Sequence, residues 1–263
     1  MPRLSKNSLP SQVRFKYILD WLESQEHITI SEIAKKCQVS EITVRRDLDE
    51  LERQGFLIRT HGGAIRNKPI ENLFSFDNKM TRNLEEKNEI CRYAARLIKD
   101  HDIIFIDCGT TVYHLVQYIN KSLNIRVITN SLPVVSKLIQ YSNIRVSLIG
   151  GELDHERKAL YGGMTESMLL RFRASKAFVG AGGISLVHGI SSNDEKEAII
   201  TSKISESTNE VILLCDSSKF EHVAFYTYAP ITMPNLIITD NRLDPKILNK
   251  YRENKINIVL AEP

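Results

Sequence analysis

Small and polar residues follow five apolar runs in the later part of this 263-residue sequence, in positions where they could bind an anion. The five segments are Asp107-Cys108-Gly109-Thr110-Thr111, Thr129-Asn130-Ser131, Gly150-Gly151-Glu152, Gly180-Ala181-Gly182-Gly183 and Asp216-Ser217-Ser218-Lys219. Glycine lets the backbone approach an anion, while hydroxyls, carboxylates and one lysine supply side-chain partners. The set suits a polyhydroxy ligand that carries a phosphate, although a single glycine after a strand is more often part of a turn. The G-x-x-x-x-G-K-[ST] loop of nucleotide-binding proteins does not occur.

A separate stretch near the N-terminus places arginine and hydroxyl side chains at the start of a predicted helix. The helix begins at Glu41, and its apolar stripe consists of Val44, Leu48 and Leu51. Thr43 and Arg46 therefore point away from the core, and Arg45 lies on the flank. An arginine can bond guanine O6 and N7 together, and a threonine can contact a phosphate or a thymine methyl.

Acidic residues on the same helix favour an alternative, in which it is an ordinary surface helix with exposed arginines. The acids are Glu41, Asp47, Asp49, Glu50 and Glu52. Carboxylates repel phosphate, but most of these lie after the first turn, where a helix can leave a DNA groove. Spacing alone leaves both interpretations open.

The elements around this helix form a compact N-terminal domain, predicted over residues 1–66. We predict a helix over 11–25 capped by Ser11, a strand over 27–30, a helix from its cap Ser31 to Cys37, a turn over 38–40, and a helix over 41–54 capped by Ser40 and ended by Gly55. Two strands joined by His61-Gly62-Gly63 then make a wing. Two helices joined by a three-residue turn are typical of a helix-turn-helix, whose second helix reads the major groove.

Residues 67–80 are interpreted as a polar linker, and residues 81–263 alternate between helices and strands. Helices are predicted at 85–99, 111–120, from about 133, at 165–172, 194–208 and 244–252, and strands at 103–107, 126–129, 144–150, 177–183, 211–216, 235–240 and 256–261. The predicted fold is an all-α winged helix-turn-helix with a small β-wing, followed by an α/β domain with an open, mainly parallel sheet. Ligands bind beyond the carboxyl ends of such strands, where the five polar segments lie.

The composition of the chain limits the classes of protein to which it can belong. Hydrophobic residues make up 42% and charged residues 25% of the chain, and there is no apolar run of about 18 residues and no secretory signal, so a cytoplasmic location is expected. The four cysteines lack metal or disulfide spacing, and no metal or cofactor is expected. The first 68 residues carry 12 Lys/Arg against 9 Asp/Glu and the rest carry 23 of each, a weak basic excess.

The stretch ISEIAKKCQVSEITVRRDLDELERQGFLIRTHGGA, residues 30–64, resembles the N-terminal domain of the DeoR family of bacterial repressors. VSEITVRRDL is similar to that family's recognition-helix signature and RTHGGA to its wing; Val44 stands where isoleucine is usual. The resemblance implies binding to double-stranded operator DNA. The residues expected at the DNA are Ser31, Ser40, Glu41, Thr43, Arg45 and Arg46, with His61 of the wing near the backbone.

The later motifs resemble the C-terminal domain of the same family, whose fold is similar to that of ribose-5-phosphate isomerases. They are IFIDCGTT, VITNSL, LIGGEL, YGG, AFVGAGGI and CDSSKF, in this order. The resemblance implies a phosphorylated-sugar or nucleoside-derived effector that releases a repressor of catabolic genes from DNA. Its phosphate is expected at Gly109-Thr110-Thr111, with Asp107, Asn130, Gly150, Gly151 and Lys219 completing the pocket.

Two alternatives remain. An isomerase-like enzyme would need a base near C1–C2 of a sugar. The acidic D-G-A-D-E-type loop of the related isomerases is replaced here by Gly180-Ala181-Gly182-Gly183, and Asp194, Glu195 and Glu197 are interpreted as the acidic first turn of a helix. A DNA-binding module with a purely structural dimerisation domain would leave the polar segments unexplained.

Because helix-turn-helix proteins read paired half-sites, a homodimer or homotetramer is expected.

Overall fold

The computed structural model describes residues 11–25, 27–53, 57–66 and 76–262, and the chain divides into two compact units between Leu73 and Phe74. Within these residues, no helix is long and apolar enough to cross a membrane. Each unit has its own apolar core.

The first unit contains three helices and a three-stranded antiparallel sheet. The elements are α1 (Ser11–Ser24), β1 (His27–Thr29), α2 (Ile30–Cys37), α3 (Glu41–Arg53), β2 (Leu57–Thr60) and β3 (Gly63–Arg66). The strand order is β1-β3-β2, so the strand before the helix-turn-helix completes the wing sheet. Buried residues such as Ile18, Ile33 and Leu48 fill the space between the three helices.

Two helix starts differ from prediction. Thr29, and not Ser31, caps α2: its hydroxyl accepts the N–H of Glu32 at 3.3 Å, and the Glu32 carboxylate accepts the Thr29 N–H at 2.8 Å. Thr29 takes the cap because a glutamate lies three residues later, which completes a capping box. Ser11 lies inside α1 as its first residue. The predicted stop at Gly55 lies outside the described residues.

The second unit is built on α/β crossovers. Its elements are α4 (Phe76–Met80), α5 (Leu84–Ala95), β4 (Ile103–Ile106), α6 (Thr110–Tyr118), β5 (Arg126–Thr129), α7 (Leu132–Leu138), β6 (Arg145–Leu148), β7 (Glu152–Asp154), β8 (Ala159–Tyr161), α8 (Gly163–Leu169), β9 (Ala174–Val179), β10 (Gly183–Ser185), β11 (Gly189–Ser192), α9 (Glu195–Glu206), β12 (Thr208–Leu214), β13 (Tyr226–Ala229), β14 (Leu236–Asp240), α10 (Pro245–Glu253) and β15 (Ile258–Ala261).

Seven parallel strands form the main sheet in the order β15-β14-β12-β9-β4-β5-β6. Side chains of β4 alternate between two cores: Phe105 belongs to one buried cluster, and Ile104 and Ile106 belong to the other. Both faces of the sheet are therefore covered, as parallel sheets require. The predicted fold class is confirmed.

Short elements escaped prediction. Helix α4 lies inside the segment interpreted as a linker, and an antiparallel hairpin (β7, β8) and a second sheet (β10-β11-β13) accompany the main sheet. All five of these strands have three or four residues. That length is too short to show the alternation by which strands are recognised.

Candidate functional site

The first turn of α3 is fixed by its cap. The Ser40 hydroxyl accepts the backbone N–H of Thr43 at 3.2 Å, and the two hydroxyl oxygens lie 2.9 Å apart. This arrangement places the half-buried Thr43 side chain against the cap, so part of its hydrogen-bonding capacity is used within the protein. Glu41 begins the helix and is exposed.

Arg45, Arg46 and Ile42 expose their side chains beside this cap. Arg45 lies 4.0 Å from the Glu41 carboxylate, in a pair whose two side chains are each more than half exposed. Such surface pairs contribute little and exchange readily for a phosphate. Ile42 is 66% exposed. Sequence analysis missed it because an isoleucine is normally assigned to a core.

Four acidic residues of α3 have partners within the first unit, and for three of them the partner is an arginine side chain. The pairs are Asp47 with Arg14, Asp49 with Arg59, Glu50 with Arg53, and Glu52 with the backbone N–H of Arg59. The carboxylates that favoured an ordinary surface helix are thus compensated by neighbours. The helix start keeps its exposed arginines, and the argument against phosphate contact weakens.

The wing depends on a glycine. A Cβ at Gly63 would lie 2.0 Å from the carbonyl oxygen of Ile28, so the close pairing of β1 with β3 admits no side chain there. His61 occupies the exposed turn between β2 and β3. Ser31 is also exposed, with its hydroxyl 3.2 Å from that of Thr29.

The order of the main sheet gathers the five polar segments of the second unit along one edge. Strands β12, β9, β4, β5 and β6 are consecutive neighbours, and every segment follows one of them. Because the strands are parallel, their carboxyl ends lie at the same edge.

Asp107 lies at the centre of this edge, directly after β4, and is buried. Its carboxylate accepts the backbone N–H groups of Cys108 at 2.7 Å and Gly180 at 3.3 Å. Burial, and then the nearby charge of Glu197, raise the pKa of Asp107 to about 6. The group can therefore hold or release a proton close to neutral pH.

Helix α6 begins in the predicted phosphate loop. Gly109 precedes its first residue, and no side chain caps the N–H groups of the first turn. The Thr110 hydroxyl lies 3.2 Å from Lys87 Nζ, and the Thr111 carbonyl accepts a hydrogen bond from the Cys91 thiol. A helix start with free N–H groups and an adjacent ammonium is an anion-binding arrangement.

Lys87 of α5 is the principal residue that sequence analysis missed at this edge. It is buried, and its ammonium also donates to the backbone carbonyl of Lys79. Burial lowers the pKa of Lys87 to about 8, opposed by the charge of Asp216 and assisted by that of Lys219. The available signal was its spacing, since Lys87 shares the buried face of α5 with Cys91 and Ala94.

Asn130 follows β5 and is buried. Its side-chain N–H donates to the Leu160 carbonyl at 3.0 Å, while Oδ1 has no hydrogen-bond partner among the described residues. An unpaired buried oxygen costs about 1–3 kcal/mol. A ligand hydroxyl would satisfy it.

Gly150 and Gly151 take part in packing. The Gly150 carbonyl accepts a hydrogen bond from the Thr165 hydroxyl at 2.8 Å. A Cβ at Gly151 would lie 2.0 Å from the Thr165 hydroxyl oxygen. These glycines fit α8 against the end of β6. Lys219 ends a short 3-10 turn after β12 and is half-buried, close enough to Lys87 to lower its pKa.

Arg157, in the turn of the β7–β8 hairpin, binds two acids of α9. Its guanidinium lies 2.9 Å from Glu197 and 3.3 Å from Asp194. Asp194 also caps α9 by accepting the N–H of Glu197 at 3.0 Å, so the predicted acidic first turn is confirmed. The described residues contain no group of three or more histidines, cysteines and acids that could hold a metal ion. All four cysteines are buried.

Comparisons with known proteins match both units. The profile of a DeoR-like helix-turn-helix domain matches residues 14–69, and that of the DeoR C terminal sensor domain matches residues 82–241. A lactose phosphotransferase system repressor of Lactococcus lactis subsp. lactis is 38% identical over 245 residues, which are 91% of this chain and 95% of that protein. The HTH-type transcriptional regulator IolR of Bacillus subtilis (strain 168) is 32% identical over 249 residues, 95% and 99% of the two chains.

Among solved structures, ribose 5-phosphate isomerase A from Methanocaldococcus jannaschii aligns with a TM-score of 0.39 and 19% identity, over 52% of this chain and 55% of that one. An alignment this loose carries no functional argument.

Proposed function

Because the chain belongs to the DeoR family of DNA-binding transcriptional regulators, we propose that it represses genes of carbohydrate or nucleoside catabolism and leaves its operator when a phosphorylated sugar binds. The relative named as a lactose phosphotransferase system repressor supports the choice of genes. We also propose a cytoplasmic location, because the proposed target is double-stranded operator DNA.

We assign DNA binding to residues 1–66, the connection to 67–80, whose last five residues form α4 of the second unit, and effector sensing and oligomerisation to 81–263. The first turn of α3 supports the DNA assignment, because Arg45 and Arg46 are exposed there while the acids of the same helix are compensated. Ser40 and Thr43 shape the turn, and Ser31, Glu41 and His61 are exposed at positions flanking it or in the wing. A homodimer or homotetramer would present two such helices to paired half-sites.

The effector assignment rests on one observation above all: a buried ammonium, Lys87, lies 3.2 Å from the Thr110 hydroxyl at the uncapped start of α6. In our proposal the phosphate binds there, with Gly109 and Thr111 giving backbone N–H groups and Lys219 adding charge. Asp107 and the unpaired oxygen of Asn130 bind sugar hydroxyls. Gly150 and Gly151 contribute by letting α8 close on this edge.

The isomerase-like alternative has weaker support. The loop after β9 carries glycines and alanine where a catalytic carboxylate would be needed, and Glu197 and Asp194 are held by Arg157. Asp107 accepts two backbone N–H groups, which suits a binding residue. We propose that the protein has no enzymatic activity.

Fluorescence anisotropy would test the function, using DNA from upstream of the protein's own gene, with and without a panel of sugar phosphates. Tight binding relieved by one compound is the expected result. Tight binding that no compound relieves would contradict the effector assignment, and turnover of a sugar phosphate without specific DNA binding would establish the enzyme alternative.

Thr110→Val provides a sharper test of the phosphate loop, because it removes one hydroxyl beside Lys87 and keeps the side-chain shape. The variant is expected to bind DNA as the wild type does and to lose its response to the effector. A full response would place the phosphate elsewhere. Thr208→Val, which removes a hydroxyl bonded to the Ile204 carbonyl at the start of β12, is a matched control.

A further inference from the structure

The short helix α4 is fixed at its start by the β7–β8 hairpin. The N–H of Phe76 donates to the Glu156 carbonyl at 2.9 Å, and the Lys158 ammonium lies 2.6 Å and 2.7 Å from the two carboxylate oxygens of Asp77. The Phe76 ring is buried and packs edge-on against Tyr113 of α6, with centroids 5.4 Å apart.

At its other end, α4 is held by side chains from α5 and α6. Lys87 donates to the carbonyl of Lys79, and a ring nitrogen of His114 lies 3.1 Å from the carbonyl of Met80. Carbonyls at the end of a helix have no partner within the helix, so such contacts decide whether a short helix stays docked.

Lys87 therefore serves two groups at once, the end of α4 and the Thr110 hydroxyl of the phosphate loop. An ammonium forms much stronger hydrogen bonds with a phosphate dianion than with a neutral carbonyl, and more so where water is excluded. The ammonium has three N–H donors, and a phosphate dianion at the loop draws it toward the loop and thereby weakens its hydrogen bond to the Lys79 carbonyl.

We propose that Lys87 is the positioning residue through which the effector's phosphate acts on α4: the ammonium turns to the phosphate, the end of α4 loses its contact with Lys87, and the helix undocks. The docked helix corresponds to the operator-binding state. Helix α4 is the first described element after the boundary between the two units, which lies between Leu73 and Phe74. This inference rests on the proposed function, and a ligand shifts the equilibrium only because it favours the undocked state.

Hydrogen–deuterium exchange of the full chain tests the first step, with sulfate as the probe because it is a dianion at every working pH. Saturating sulfate, with binding measured by isothermal titration calorimetry, is expected to speed amide exchange in peptides covering residues 76–80, while peptides from α10 keep their rate. Binding of sulfate without faster exchange in α4 overturns the inference alone. Sulfate that does not bind overturns it together with the proposed phosphate site.

The variant Asp77→Asn tests whether the docked helix is the operator-binding state. It breaks the ion pair with Lys158, and the Asp77 side chain is exposed and lies outside the phosphate loop. Operator affinity without effector is expected to fall about two- to fivefold, the range for a surface pair, while the calorimetric affinity for sulfate stays unchanged. Lys158→Gln breaks the same pair from the hairpin and should reproduce the effect.

Glu166→Gln is the matched control, because it breaks the pair between Lys203 and Glu166 elsewhere in the same unit. It is expected to bind the operator as the wild type does. Wild-type operator affinity in both Asp77→Asn and Lys158→Gln would refute the docked helix as the DNA-binding state. A sugar phosphate that still releases DNA from these variants would leave the proposed function standing.

Discussion

At the scale of single residues, the two candidate sites differ in how their charges are held. The arginines of α3 are exposed and ready to meet a polyanion, whereas Asp107 and Lys87 of the second unit are buried and have shifted pKa values. Exposed charges act through long-range attraction and direct contact, while buried ones respond to the arrival of a single ligand. DNA binding and effector binding can therefore be tested by separate experiments on separate residues.

Arg46→Ala is expected to weaken specific DNA binding by about 1–3 kcal/mol if Arg46 bonds a base edge. Arg96→Ala removes the same charge from an exposed position in the second unit and should leave specific binding unchanged. Anisotropy titrations at one salt concentration would compare the two. Equal, small losses would show that only overall charge matters.

The ionisation of Asp107 predicts a pH dependence of stability. Its pKa in the folded protein is about 6 against an ordinary 3.8, so the folded state binds more protons between these values and stability falls as pH rises through them. Asparagine does not ionise. The Tm difference between Asp107→Asn and the wild type should therefore increase from pH 5 to pH 7.5, by the equivalent of about 1 kcal/mol.

Thermal unfolding at the two pH values measures this difference, and comparing pH values cancels the constant effect of the changed hydrogen bonds. Glu206→Gln, at an exposed carboxylate, provides the control and should follow the wild type. If the Asp107→Asn difference stays constant with pH, Asp107 is ionised across the whole interval.

At the scale of elements, α1 is tied to the DNA-reading helix by a buried ion pair. The Arg14 guanidinium forms bonds of 2.6 Å and 2.8 Å to the Asp47 carboxylate, with both side chains at most 10% exposed. The pair fixes how α1 lies along α3. It also compensates the charge of the buried Asp47 carboxylate.

Removing one partner should be costly, because the other charge stays buried. Asp47→Ala is expected to destabilise the first unit by about 3–5 kcal/mol, and Arg14→Met with Asp47→Leu should recover much of this loss. The single tryptophan, Trp21, lies in α1, so its fluorescence during urea unfolding reports on this unit. A single variant as stable as the wild type would show that Asp47 is dispensable for packing.

Elements with a strong apolar signal could be predicted from the sequence, and short elements without that signal could not. The apolar runs of β4, β5, β12 and β14 are buried on both faces, which gives each a continuous apolar signal. Helix α4 has five residues and lies in a polar stretch, so no periodicity marks it. Lys87 is hidden for a related reason: a lysine is assigned to the surface unless its buried partners are known.

At the scale of the whole molecule, the proposed homodimer or homotetramer would present two copies of α3 to two half-sites. We expect full affinity only for DNA with paired half-sites whose centres lie about one helical turn, or a multiple of it, apart. Inserting about five base pairs between them turns one half-site to the opposite face of the duplex and should abolish tight binding, whereas about ten should restore it in part. Equal binding to all three DNAs would indicate that a single copy suffices.

The order of strands in the main sheet also bears on how this protein folds during its synthesis on the ribosome. Strands β4, β5 and β6 come from one continuous stretch of the chain, and β9, β12, β14 and β15 come from a later one. In the main sheet the two groups are joined by the pairing of β4 with β9, for example Ile104 with Lys176. While the later stretch is being translated, β4 presents an unpaired apolar edge. The nascent chain is therefore expected to need shielding by a chaperone until β9 emerges, after the N-terminal unit has left the exit tunnel.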